Sequence, residues 1–352
     1  MAPVMISLKV TGMGKNEFKV LAFRHLYNFY FLCILALCIG LAYYSYLGVM
    51  ISEFRAATVS NILDRYAWWS SEFIWLYTLT SSLIFLIWAV KWNRVSAMSH
   101  LLDEDSFGFL HQLEDERDIF LQKRFRIIKI KCYVFCFLYI AETAVWPMLG
   151  FGVRGSRLSE VIGALAFVPC VIVSLGLVLA YTVYVCTAEV WNIYNYSLHK
   201  ECDRWKNRTD RSHVNFELII SRYSDQYDAV SNLTAAVAHL FRYYATLHVL
   251  VVLSLITQVY QSIFDPTILL PYKIYTWIDI GFQLTPLFAA ATISSYSLRT
   301  ATSLHNFYKA YWKSDKNQNR RQTADTTTLL LDTSCARPSP LYVHLLLPEG
   351  GQ

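Results

Sequence analysis

Six stretches of this 352-residue sequence have almost no charge. Lys, Arg, Asp and Glu make up 16% of the chain, against about 25% in an ordinary soluble domain, and the shortage is concentrated. The uncharged runs are Leu26 to Ser52, Phe73 to Val90, Cys132 to Val153 with Glu142 as the one interruption, Val161 to Ala188, Tyr243 to Phe264, and Ile280 to Leu298. A helix needs about 20 residues to cross the hydrocarbon core of a bilayer, and each run has roughly that length or more. The runs also lack a polar face recurring every third or fourth residue, which a helix on a soluble core would show. The expected fold class is therefore all-α: a polytopic transmembrane helix bundle with six spans.

Other absences narrow the function. There is no Gly-rich phosphate loop, no pair of residues at metal-ligand spacing and no nucleophile constellation. No enzyme is expected, and no cofactor. No internal repeat and no soluble domain is visible. No cleavable signal peptide is expected, because the first apolar run begins only at Leu26 and is too long for a signal-peptide core; it reads as a signal anchor. The eight cysteines are not a disulfide framework. Cys33, Cys38, Cys132, Cys136, Cys170 and Cys186 fall inside the runs, and Cys202 and Cys335 fall in segments expected to face the reducing cytosol. Cys132 and Cys136 have helical spacing in an apolar context without His or carboxylate neighbours, which suits packing. Asn-x-Ser/Thr triplets at Asn195, Asn207 and Asn232 lie in segments expected to be cytoplasmic and so should carry no glycan. A net charge of +5 is modest. The basic residues sit beside the ends of the runs, so a membrane surface accounts for them and nucleic acid does not.

What charge there is falls on one side. Of the 31 basic residues, 26 lie before the first run, in 91–131, in 189–242 and after Leu298. Only Arg55, Arg65, Arg154, Arg157 and Lys273 lie in the alternate loops. With an even number of spans the four basic segments share a side, and positive charge stays cytoplasmic. Both termini are therefore expected inside, with short outer loops. A seven-span G-protein-coupled receptor has its amino terminus outside, and the sequence marks of the rhodopsin type, Asp-Arg-Tyr and Asn-Pro-x-x-Tyr, are also missing.

The expected organisation is a cytoplasmic segment over 1–25, a helix bundle over 26–312 with cytoplasmic helical extensions at 91–131 and 189–242, and a disordered tail over 313–352. Residues 100–131 read as a polar helix with an acidic start and a basic end, the order that suits the helix dipole. Val214, Leu218, Tyr223, Tyr227, Val230, Leu233, Val237, Leu240 and Phe241 recur at spacings near three and four. They predict an amphipathic helix that runs straight into the fifth span at Tyr243. The fourth span likewise continues through Glu189, Trp191, Tyr194 and Leu198 without a breaker.

This layout resembles the insect gustatory and odorant receptor superfamily. The likeness is carried by the stretch from Leu218 to Leu233, by His239-Leu-Phe241 and the apolar run to Phe264, and by the sixth span with its exit from Ser294 to Leu304. It covers the architecture of about residues 20–310 and is specific in sequence over about 215–305. The resemblance implies a plasma-membrane chemoreceptor subunit in a homo- or hetero-tetramer. The family is one of ligand-gated cation channels, and a small tastant would bind in the outer half of the bundle. The family's seventh helix, which carries a Thr-Tyr…Gln-Phe signature and lines the ion pore, has no match here. The tail from Lys313 stands in its place, and conduction by this chain alone is not implied. Two rival readings remain: a serpentine receptor signalling through a G protein, and a small-solute transporter, whose inverted repeats are not visible.

Polar and charged groups inside spans are the functional candidates. Three are acids: Glu72 near the outer end of the second span, Glu142 in the middle of the third, and Asp279 in the outer half of the sixth. Tyr44, Trp69, Trp146 and Gln283 lie at similar depth, as do Tyr43, Trp68, Trp75 and Gln258. Aromatic faces with a few oriented polar groups suit a sugar or an alkaloid, so the expected ligand-binding set is Tyr44, Trp69, Glu72, Glu142, Trp146, Asp279 and Gln283. The plainer readings are an interfacial belt for Trp68, Trp69 and Tyr46, snorkelling to headgroups for Glu72, and a satisfied packing role for His248. Pro147, Pro169 and Pro286 are expected to kink their helices.

Overall fold

In the computed structural model, the residues described are 21–56, 119–151, 157–207, 216–264 and 270–315, and all of them are helical. We number the helices α1 (Leu21–Ala56), α2 (Ile119–Phe151), α3 (Arg157–Asn207), α4 (Phe216–Phe264) and α5 (Leu270–Asp315). The second expected span, the segment 91–118 and the tail beyond 315 lie outside the described residues. So do Glu72, Trp68, Trp69 and Trp75.

The helices are long. The 51 residues of α3 make a rod about 75 Å long at 1.5 Å per residue, more than twice the ~30 Å of a hydrocarbon core. As its lack of a breaker predicts, α3 runs unbroken past Glu189 and Leu198. The amphipathic approach and the fifth apolar run form the single helix α4, and the sixth run continues to Asp315 within α5. Pro147, Pro169 and Pro286 all sit inside helices. Lys129 and Lys131 belong to the same helix as the third apolar run, α2.

Three described segments are long and apolar enough to cross a membrane: Leu21–Leu41 in α1, Cys170–Arg204 in α3 and Tyr244–Phe264 in α4. That is the composition of a membrane protein. The apolar runs of α2 and α5 are helical but weaker. The first carries Glu142, and the second carries Thr285, Thr292, Ser294, Ser295 and Ser297.

Two compact units make up the chain. Among the described residues the first holds 21–56, 129–182 and 243–287, and the second holds 119–128, 183–242 and 288–315. In the first unit, the described side chains of α1 bury a narrow stripe, Ile34, Cys38 and Leu41. Large apolar side chains face outward along α2 and α4, with Phe137 73%, Leu253 57% and Ile256 50% exposed. Water would penalise such a surface, and lipid tails would not.

The second unit is built the other way round. Val230, Leu233, Val237 and Phe241 of α4 are buried, while Arg222, Asp225, Asp228 and Asn232 are exposed. The α3 and α4 segments run antiparallel there. Tyr184 meets Phe241 with ring centroids 5.5 Å apart, and further along the pair Trp191 and Tyr194 meet Tyr227. Trp191 Nε1–H donates to Thr234 Oγ1 at 2.8 Å, and the Tyr194 hydroxyl donates to the Tyr223 carbonyl at 3.0 Å. These bonds satisfy the polar tips of side chains whose rings fill the core. Asn195 Nδ2 donates to the Tyr296 carbonyl of α5, and Arg124 Nε lies 2.9 Å from Glu189 Oε1.

Candidate functional site

Among the described residues of the first unit, a polar interior lies between α2, α3, α4 and α5. On α5, Tyr275, Asp279 and Gln283 recur every fourth residue and so share one face. On α2 the facing stripe is Phe135, Tyr139, Glu142 and Thr143. Gln283 ties the two together: its Nε2 donates to the Tyr139 hydroxyl at 2.9 Å and to Asp279 Oδ1 at 3.2 Å. A primary amide has two N–H bonds, and both are used.

Glu142 faces the Tyr275 and Thr143 side chains and lies beside Asp279. Its Oε1 is fully buried and accepts no hydrogen bond. A carboxyl oxygen in that state is costly to keep. Next to it, Thr143 and Ser174 join α2 to α3 through a hydroxyl–hydroxyl bond. Each hydroxyl also lies 2.8 Å from its own carbonyl four residues back, Tyr139 for Thr143 and Cys170 for Ser174. Each carries one proton, so one of the two gives up its backbone bond to make the pair.

An aromatic wall closes one flank. Phe282 lies 5.9 Å from Phe135 and 5.5 Å from Tyr139 between ring centroids, and Phe135 packs on Tyr181 at 4.1 Å. On the α4 side, buried His248 places Nε2 2.6 Å from the Gln283 carbonyl. A carbonyl only accepts, so Nε2 carries the proton. This is the satisfied packing role expected for His248.

Of the seven expected ligand residues, the structure brings Glu142, Asp279 and Gln283 together. Tyr44 and Trp146 lie on α1 and α2, but their side chains are outside the described residues, as are Trp69 and Glu72 altogether. Sequence reasoning missed Tyr139, Tyr275, Thr143 and Ser174. A helical register drawn from Glu142 would have reached Tyr139, and one drawn from Asp279 would have reached Tyr275.

No protein-family model matches this sequence, and no curated protein does. The site therefore rests on its own chemistry. Two carboxyl groups, two phenols and an amide converge between helices whose outer faces are apolar. Ionisable groups are retained in such surroundings when a polar solute, an ion or a proton uses them.

Proposed function

We propose that this chain is a gustatory-type chemoreceptor subunit that binds a small polar tastant at the cluster of Glu142, Asp279, Gln283, Tyr139 and Tyr275. The observation that carries this reading is the buried, unpartnered Glu142 oxygen beside Asp279, in a bundle with an apolar exterior. The subunit has six spans with both termini in the cytosol and resides in the plasma membrane. The 26 basic residues on one side support that orientation. So does α4, whose exposed face changes from Arg222, Asp225 and Asp228 to Leu253, Ile256 and Ile263. Such a change is what a helix passing from water into hydrocarbon requires.

The tastant shifts the balance between two packings of the bundle. Conduction belongs to an assembled homo- or hetero-tetramer of related subunits, held through 189–242 and 299–312. One observation favours a second reading: paired intramembrane carboxylates also suit a proton-coupled transporter.

Currents from cells expressing the chain, with and without related subunits, test the proposal against a tastant panel. A receptor gives a response whose half-maximal concentration rises by about tenfold, ~1.4 kcal/mol, in E142Q and Q283A at equal surface expression. Uptake of a labelled solute without any evoked current moves the assignment to a transporter.

A further inference from the structure

In one turn of the continuous helix α5, three successive carbonyls differ from the usual backbone pairing. The Gly281 carbonyl accepts the Thr285 hydroxyl at 2.8 Å. Side-chain bonds of this kind slacken and bend a helix. Pro286 lies inside the helix and has no N–H to offer the Phe282 carbonyl. The third carbonyl, of Gln283, accepts His248 Nε2 from α4 at 2.6 Å. Gly281, without a Cβ, leaves the backbone of this turn less restrained.

Pro286 leaves the Phe282 carbonyl without its helical partner, and His248 of the neighbouring helix grips the very next carbonyl, that of Gln283, tying this weakened turn to α4. It is well placed to do so. Its ring is 3% exposed and stacks on Tyr244 one turn earlier, with centroids 6.0 Å apart and planes 7° apart. The residue it grips is also the one whose side-chain amide spans Tyr139 and Asp279.

We propose that the turn from Gly281 to Pro286 is a hinge in α5 and that the His248–Gln283 bond is the latch that holds it. With the latch closed, the Gln283 amide is fixed between Tyr139 and Asp279. With it open, α5 bends at Pro286 and that bridge is lost. The polar cluster therefore has two settings controlled from α4. The hinge is a property of the helix and does not depend on what the cluster binds.

Two measurements on the full-length protein in lipid nanodiscs test it. The first is the 15N spectrum of histidine in the unaltered protein. The latch requires His248 to be protonated at Nε2, and a spectrum showing the proton on Nδ1 overturns it. The second is amide hydrogen exchange in variants. H248L should speed exchange of 281–287 by about tenfold, as loss of one buried hydrogen bond implies. H248Q retains an N–H donor and should restore the slow rate. P286A returns the N–H that the Phe282 carbonyl lacks and so stiffens the hinge itself, and P286A/H248L should then exchange near the rate of P286A alone. The hinge is refuted if H248L changes 281–287 by less than twofold, if it speeds all helices equally, or if P286A leaves its effect intact. Should H248L fail to fold, the tautomer in the unaltered protein decides the matter.

Discussion

A carboxyl oxygen without a hydrogen bond inside a helix bundle is expensive, and Glu142 Oε1 is one. If ligand recognition is the reason it is kept, Glu142→Gln will relieve the cost and remove the benefit. The variant should melt at the same temperature as the native protein or higher, measured in detergent, while its ligand response falls. A lower melting temperature would make Glu142 a structural residue. Trp191 illustrates the opposite case, a polar tip fully provided for. Thr234→Val strands its Nε1–H in the core, at a cost of about 1–3 kcal/mol, and Thr234→Ser should recover most of it. Tyr223 and Tyr227 give a pH prediction for the second unit. Burial is the main cause that raises both phenols above the usual range, and for Tyr223 the Ser197 hydrogen bond offsets part of it. A phenol that ionises later when folded leaves stability intact below pH ~10, the unfolded value. Stability then falls as pH rises from there toward the folded pKa. Absorbance near 295 nm, followed with circular dichroism, should show ionisation and loss of helix rising together above pH ~10.

Among the elements, α4 shows a change of surroundings along one exposed face. Asn232 and Ile256 are both exposed, and in a protein surrounded by water both would tolerate aspartate. The bilayer reading separates them. Asn232→Asp should change stability by no more than ~0.5 kcal/mol. Ile256→Asp should cost on the order of 2.5–3.5 kcal/mol in insertion, seen as a reduced membrane-integrated fraction. Equal tolerance at the two positions would remove the bilayer from the account. The course of α4 was legible because Val230, Leu233, Val237 and Phe241 repeat at helical spacing, and no Pro or Gly separates them from Tyr243. The pairing of Thr143 with Ser174 was not legible. Small hydroxyl residues are common in membrane helices, and nothing local marks two of them, 31 residues apart, as partners. Gln283 stood out as an amide in an apolar run, but its partner Tyr139 lies 144 residues away. Tyrosine is also ordinary near span ends, which hid its role.

For the molecule as a whole, hydropathy and charge set the frame, and packing chose the site within it. Uncharged runs announce a helical membrane protein, and three of the described segments meet that description by length and composition. The run in α2 is diluted by Glu142, a member of the polar cluster, and the run in α5 by Gln283 of the cluster and by Thr285, Thr292, Ser294, Ser295 and Ser297 outside it. The site thus lies where the span signal is weakest. That trade is expected where function requires polar groups inside a bilayer. The central claim is that an even number of spans carries this cluster with both ends of the chain in the cytosol. Sidedness tests it most directly: an epitope tag at each terminus, stained in intact and then in permeabilised cells. The account predicts that both tags appear only after permeabilisation. An amino-terminal tag visible on intact cells would invert the bundle, and the receptor assignment would fall with it.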